Sequence, residues 1–314
     1  MNQTLSIPID AHGAQHSPTT PSTQHAPAAS TAAGTAPRFS LSDWRLPRAS
    51  TLGAALAVTV LLLLLCAVLA PSLLAPGDPL AADRSQLLQP PSLHHPMGTD
   101  QIGRDVYTRV VHGARPSILL GLSAVALSLA VGTVLGLLAG LTQRVVPTVV
   151  MRLTDIGAAF PELLLAVFIV SLFGSGIFNA AIAIGIAGIP YYTRIVRAET
   201  LRVRSASYIE AAEALGLSRA EVVLRHIVPN ALRPLIVVAT IGLSSATLAG
   251  AALSFLGLGN PPPSPEWGAM LTNARNFLSM GWWAAVFPGL AITLFVMSTT
   301  WLGRWLQQRS EGRL

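Results

Sequence analysis

The side chains able to do chemistry in this sequence are few, and most lie beside apolar runs. Glu162 follows Pro161 inside one such run. An ionisable group at membrane depth is costly enough to mark a functional site. Its carboxylate either faces a polar cavity or pairs with a polar group on a partner, and the residues leave both open. Arg152 and Asp155, three apart, have the spacing of a helical ion pair. His94 and His95 are adjacent, with no Cys or carboxylate at ligand spacing, so no metal site is expected. Asp100, Arg104 and Asp105 have the types and spacing to hold a folded segment together by charge-assisted hydrogen bonds. All 20 Lys-or-Arg positions are Arg, which excludes a phosphate-loop lysine, a Schiff-base lysine and a lysine general base. No His-Glu-x-x-His, Gly-x-Ser-x-Gly or paired-aspartate pattern occurs, which argues against an intramembrane protease or transferase.

Helices crossing a bilayer have to position these groups. Hydrophobic residues make up 52% of the chain, charged residues 11%, and the mean hydropathy is +0.57, the composition of an all-α polytopic membrane protein. Apolar runs of about 20 residues, the length that spans about 30 Å of hydrocarbon, predict six transmembrane helices at 51–74, 117–141, 156–173, 177–195, 232–255 and 283–302. The net charge of +6 does not point to nucleic acid, because the arginines gather at the ends of apolar runs rather than in a compact basic module. Arg38, Arg45, Arg48, Arg144, Arg152, the cluster from Arg194 to Arg233 and the last three arginines share one side, which the positive-inside rule makes cytoplasmic. Both termini then lie in the cytoplasm, and the segment 76–115 lies outside. Trp282 and Trp283 open the last span and Trp301 and Trp305 close it, like aromatic rings at two headgroup layers roughly 27 Å apart. Residues 1–40, rich in Ser, Thr, Pro, Ala, His and Gln, read as a disordered tail without the pattern of a cleavable signal. The single Cys66 falls inside the first span and forms no intrachain disulfide.

Two features would place surfaces against other surfaces. Gly132, Gly136 and Gly140 recur on one face of the second span, so a neighbouring helix can approach its backbone closely, from the same chain or from a second subunit. In the long cytoplasmic connection 198–230, Tyr208, Ala211, Ala212 and Leu215 fall at i, i+3, i+4 and i+7, a narrow apolar stripe on a short helix. Gly216 supplies the left-handed residue that ends such a helix. Ser218 and Glu221 follow as a capping box for a second short helix that Pro229 helps to terminate. The pair either fills a cleft on a soluble partner or packs on the chain's own helix ends.

At these residues the sequence resembles a known family. Glu210-Ala211-Ala212, Gly216 and Ile227-Val228-Pro229 look like the EAA loop of ABC importer permeases, and Tyr208 with Arg225-His226-Ile227-Val228-Pro229-Asn230 resembles its dipeptide, oligopeptide and nickel permease form, of the second-permease (C-type) kind. His95-Pro96-Met97-Gly98-Thr99-Asp100, Gly103-Arg104-Asp105 and Gly113-Ala114-Arg115 look like the signature ahead of that family's transport domain. Leu256-Gly257-Leu258-Gly259 with Pro265, Trp267 and Gly268 is a third match. Val228 stands where the family usually has Leu, Pro190 interrupts the end of the fourth span, and the tail is long. The resemblance implies a type I ABC importer permease fold. Residues 41–115 would supply the first helix and external segment, 116–305 the permease domain with its coupling loop 198–230, and 306–314 a cytoplasmic tail. It further implies a second homologous permease subunit, two ATP-binding subunits that hydrolyse ATP, and an external solute-binding protein. The chain itself is then not an enzyme, holds no cofactor, and imports peptides, with glutathione or a nickel complex as alternatives. In that family Tyr208, Glu210, Ala211, Ala212, Leu215 and Gly216 would seat in the ATPase. An ion-driven secondary transporter is the rival of a different class; the absence of clear internal repetition argues against it.

Overall fold

The computed structural model describes residues 51–310; the predicted N-terminal tail and the end of the predicted C-terminal tail lie outside them. Among the described residues the regular structure is helical, with one isolated bridge between Thr99 and Asp105. In chain order the helices are α1 (Thr51–Leu69), α2 (Pro71–Leu74), α3 (Val106–Leu141), α4 (Val145–Ala158), α5 (Glu162–Phe173), α6 (Ile177–Arg204), α7 (Ser207–Ala214), α8 (Arg219–Glu221), α9 (Val228–Leu232), α10 (Leu235–Phe255), α11 (Trp267–Ala274) and α12 (Trp283–Ser310).

Three of these, α3, α10 and α12, are long and apolar enough to cross a membrane, and α4 with α5 passes the same test as a pair bent by 87°. The bend corrects the single straight span predicted over 156–173. Pro161 lacks an N–H and disfavours helix at the residue before it, so the helix stops at Ala158 and restarts at Glu162. The second predicted span starts eleven positions too late: α3 begins at Val106, where the Asp105 carboxylate accepts from Thr108 N at 2.7 Å, and Pro116 does not break it. Likewise α6 runs through Pro190 to Arg204, past the predicted end at Ile195. Arg194, Arg197, Arg202 and Arg204 therefore ride on a helix, and the connection predicted from 198 starts only at Ser205. The last helix, too, continues beyond 302 to Ser310.

Glycine and hydroxyl positions set the packing. A Cβ added at Gly132, Gly136 or Gly140 would fall 2.6 Å from the Cβ of Tyr192, Val196 or Thr200 respectively. The glycine face of α3 is thus filled by α6 of the same chain. Residue numbers rise together along this contact, so α3 and α6 run parallel, and Ser128 Oγ donates to Gly185 O at 2.7 Å further along the same seam. Against α10 the order reverses: Gly121 meets Thr247 while Gly250 meets Leu120, so α10 is antiparallel to α3. Ser244 and Thr299 share a 2.7 Å hydroxyl bond, and Gly303 faces Ile241, which makes α12 antiparallel to α10. In an apolar medium hydrogen bonds and close contact, rather than water exclusion, hold such helices together.

Residues 75–105 fold as a cap on the end of the bundle where α3 starts. Arg104 Nε donates to Asp100 Oδ2 at 2.7 Å, and the buried Arg109 guanidinium donates to the carbonyls of Pro79 (3.0 Å), Pro263 (3.3 Å) and Ser264 (3.1 Å). Trp283 is buried here, its indole N–H donating to Thr99 O at 3.0 Å, so the ring that opens the last helix packs against the cap. Trp282 beside it is exposed.

Candidate functional site

The connection between α6 and α10 is a small folded unit. Val203, Ile209, Ala212, Val222, Ile227 and Ala231 bury one another, with Leu141 and Leu217 packed against them, so the unit is seated on the ends of α3 and α6. Arg204 Nη1 donates to Gly140 O at 3.3 Å across that joint. Helix α7 ends in a Schellman motif. Leu217 N donates to Ala212 O (3.3 Å), Gly216 N donates to Glu213 O (3.0 Å), and Gly216 takes φ +85°. Open space surrounds the missing Gly216 side chain, so glycine is needed there for its backbone conformation rather than for room. Ser218 Oγ then accepts from Glu221 N at 3.3 Å and starts α8. Pro229 does not end the second helix as predicted. It sits in the first turn of α9, where its missing N–H is harmless, after a π-helical stretch over Val222–Ile227.

The predicted apolar stripe divides into two faces. Tyr208 is 46% exposed, Leu215 81%, and Ala211 and Glu210 are exposed beside them. Ala212, at 8%, turns inward with Ile209, at 2%, a residue the stripe did not include. Ile209 and Ala212 pack on the chain's own helix ends, while Tyr208, Ala211 and Leu215 present an exposed apolar face next to the Gly216 turn.

Glu162 lies in the first turn of α5, exposed, at the 87° bend. Asp155 does not pair with Arg152 as predicted. Its Oδ1 accepts from Arg194 Nη2 at 2.9 Å, because α4 packs against α6 and brings the opposite charge across rather than along the helix.

In the 75–105 cap, His95 Nδ1 lies 2.9 Å from Asp105 Oδ1 and its Nε2 lies 2.6 Å from Gln86 Oε1, so this imidazole is part of the scaffold. Among the described residues no three His, Cys, Asp or Glu side chains group as metal ligands. Asp83, at the edge of the cap, accepts from Ser85 Oγ and N, which holds its carboxyl below the ordinary range. Sequence reading passed over Glu266. It is 1% exposed and caps α11, accepting from Gly268 N (2.8 Å) and Ala269 N (3.0 Å), and Trp267 N donates to Ser117 Oγ at 3.0 Å beside it. Burial pushes its pKa up against the pull of those N–H groups. The available signal was an acidic residue between Pro265 and a short apolar run, where a negative charge is favourable at a helix N-terminus.

Residues 132–312 match the family described as "Binding-protein-dependent transport system inner membrane component". The chain is 43% identical over 261 residues to the di/tripeptide transport system permease protein DppC of Pseudomonas aeruginosa, covering 81% of this chain and 86% of that protein. It is 41% identical to the dipeptide transport system permease protein DppC of Alkalihalophilus pseudofirmus, covering 80% and 82%. The glutathione transport system permease protein GsiD of Pectobacterium atrosepticum is 38% identical, covering 74% and 77%. Among solved structures, the methionine ABC transporter MetNI in inward-facing conformations aligns with a TM-score of 0.53 at 18% identity, over 63% of this chain and 94% of that chain. That likeness concerns the fold.

Proposed function

This chain belongs to the family of binding-protein-dependent transport system inner membrane components, and we propose that it forms half of the translocation pathway of an ABC importer for di- or oligopeptides. The observation that carries the peptide reading is identity over long alignments: relatives 41–43% identical over at least 80% of the chain are named as di/tripeptide and dipeptide permeases, whereas the glutathione permease is 38% identical over 74%. In this reading a second homologous permease completes the pathway, an external solute-binding protein delivers cargo, and two ATP-binding subunits hydrolyse ATP.

The membrane domain is read as six spans: α1, α3, the bent α4–α5 pair, α6, α10 and α12. Parallel packing of α3 and α6 supports this, because one return crossing has to lie between two parallel spans and α4–α5 is the segment available for it. The arginine asymmetry puts both termini and α7 in the cytoplasm and the 75–105 cap outside. Tyr208, Ala211 and Leu215 then face the ATPase, with Glu210 beside them and Gly216 fixing the turn. ATP-driven closure moves α7, and the permease responds through contacts that differ between two states. Glu162 faces the pathway.

Reconstitution of the complete importer tests this. Vesicles should accumulate dipeptide on ATP addition only when the solute-binding protein and ATPase subunits are both present, and the permease alone should hydrolyse no ATP. Accumulation of glutathione with no accumulation of di- or oligopeptides would replace the substrate reading. For the topology, a membrane-impermeant maleimide should label Ser92→Cys in intact cells in a Cys66→Ala background and spare Ser218→Cys. The reverse pattern overturns the orientation.

A further inference from the structure

A cavity of about 310 Å³ lies at the joint between the loop unit and the helix bundle. Gln143 lines it from the link between α3 and α4, Arg204 from the end of α6, Glu213 from α7 and Arg219 from α8, with Leu141 and Ile227 among its apolar walls. The volume is that of a small-molecule site, about ten times the roughly 30 Å³ that one water occupies. Other arginines nearby are already held by carboxylates: Arg194 by Asp155, Arg202 by Glu199 and Arg225 by Glu221. Arg204 and Arg219 form no ion pair among the described residues, although Glu213 lines the same cavity. Arg204 is partly buried and spends one N–H on Gly140 O at 3.3 Å; Gln143, Glu213 and Arg219 are open to solvent. The lining thus has one more positive than negative side chain, and guanidinium groups suit a phosphate above other anions. Its place is the end of an apolar span. Leu141 closes α3, and Val145, Val146 and Val149 of α4, just beyond Gln143, expose an apolar surface. A ligand entering here meets charge in the cavity and hydrocarbon beside it.

We propose that this cavity binds the phosphoglycerol headgroup of an anionic phospholipid, phosphatidylglycerol, with Arg204 and Arg219 on the phosphate and Gln143 and Glu213 on the headgroup hydroxyls. Charge balance selects this lipid: its single negative charge neutralises the lining, whereas zwitterionic phosphatidylethanolamine leaves one guanidinium uncompensated. Basic pockets at the cytoplasmic ends of membrane helices take anionic headgroups in general. The choice of leaflet rests on the orientation proposed above, which puts α7 in the cytoplasm; the site itself does not. A headgroup seated here touches α6, α7 and α8 together and so ties the loop unit to the bundle beside the Arg204–Gly140 bond.

The test uses the complete importer, purified in detergent and stripped of lipid, with Cys66→Ala, cysteine-free partner subunits and a bimane on Ser218→Cys, next to Arg219. Dioctanoyl phosphatidylglycerol should change the fluorescence saturably. Dioctanoyl phosphatidylethanolamine, dioctanoyl phosphatidylcholine and chain-free glycerol phosphate should each bind at least tenfold more weakly. Arg219→Gln should weaken phosphatidylglycerol binding tenfold or more and Arg219→Lys less than threefold. Arg225→Gln, whose guanidinium lies outside the cavity lining, should stay within twofold of wild type. Equal binding of phosphatidylethanolamine or of glycerol phosphate overturns the assignment of ligand. Wild-type affinity in Arg219→Gln, or an equal loss in Arg225→Gln, overturns the site. Labelling of Ser218→Cys from outside intact cells overturns the cytoplasmic leaflet and the proposed orientation together, and leaves Arg219-dependent binding in detergent standing.

Discussion

Replacing Leu215 and replacing Ala212 should fail in different ways, although the sequence groups them on one stripe. Leu215 is 81% exposed and makes no part of the loop's buried cluster. If an ATPase groove buries it, Leu215→Ala removes three carbons at about 0.8 kcal/mol each, roughly 2 kcal/mol, or about 30-fold in dissociation constant. Tyr208→Ala should cost a similar amount, since a half-exposed tyrosine is the kind of anchor that dominates interfaces. Neither change should alter the melting temperature of the isolated permease. Ala212→Leu instead forces a larger side chain between Val203, Ile209, Val222 and Ile227, destabilising the loop unit by about 1 to 3 kcal/mol. Its first effect should be a lowered melting temperature and yield, with ATPase binding lost only as the unit loosens. The assay is titration of the permease pair in nanodiscs with purified ATPase subunits, beside thermal melts of each variant. The reasoning is refuted if Leu215→Ala and Tyr208→Ala both bind ATPase within twofold of wild type. It is equally refuted if Ala212→Leu melts normally yet no longer binds.

Gly136→Leu should separate α3 from α6, because even a Cβ there lies 2.6 Å from Val196 Cβ and 2.8 Å from Thr193 O. A loss of about 1 to 3 kcal/mol is expected, read as a lower melting temperature in detergent. Arg109→Met leaves three carbonyls without their donor and Asp100 without its second cation, 3.7 Å away. Breaking such a buried pairing costs about 3 to 5 kcal/mol, so little monodisperse protein should survive size-exclusion chromatography. Glu266, whose folded pKa is raised by burial, keeps a proton in the folded chain that the unfolded chain gives up. Stability should therefore fall as pH rises from the ordinary carboxyl range through the folded value, and Glu266→Gln should flatten that slope in melts recorded against pH.

The sequence carried the helical class, the apolar centres of the spans and the Gly216 turn, because each follows from local composition or from a backbone conformation that glycine adopts freely. Helix ends were less legible. Pro190 and Pro116 look like interruptions, yet α6 and α3 pass through them: Pro190 lies where α6 packs on Gly132, and Pro116 lies between Gly113 and Ser117, which are held against Pro265 and Trp267. Pro161 does interrupt, and nothing local distinguishes it from the other two. The partner of Asp155 was unreadable for a related reason: the i, i+3 rule sees only one helix, and Arg194 arrives from another. Ala212 was assigned to the wrong face because Ile209, adjacent to Tyr208, widens the apolar arc, and only the packing of Val203 and Ile227 decides which edge of the arc is covered.

The contact between α3 and α6 also limits how α7 can act. Gly132 against Tyr192, Gly136 against Val196 and Gly140 against Thr200 lock the two helices in register over two turns, and Arg204 ties the end of α6 to Gly140 O. Close-packed contacts of this kind have few alternative arrangements, so the pair resists internal sliding and transmits displacement as a unit. The loop cluster sits on that end of the pair, against Leu141 and Val203. A force on the exposed face of α7 is therefore delivered through Ile209 and Ala212 to both helices at once. The next joint along the way is not another glycine seam. It is the bend at Ala159–Pro161, held to α6 by the Gly157–Pro190 contact and by the half-exposed Asp155–Arg194 pair. An exposed ion pair holds weakly, by about 0 to 1 kcal/mol, so the bend is where α4–α5 can yield while α3 and α6 move together, and Glu162 stands at that hinge.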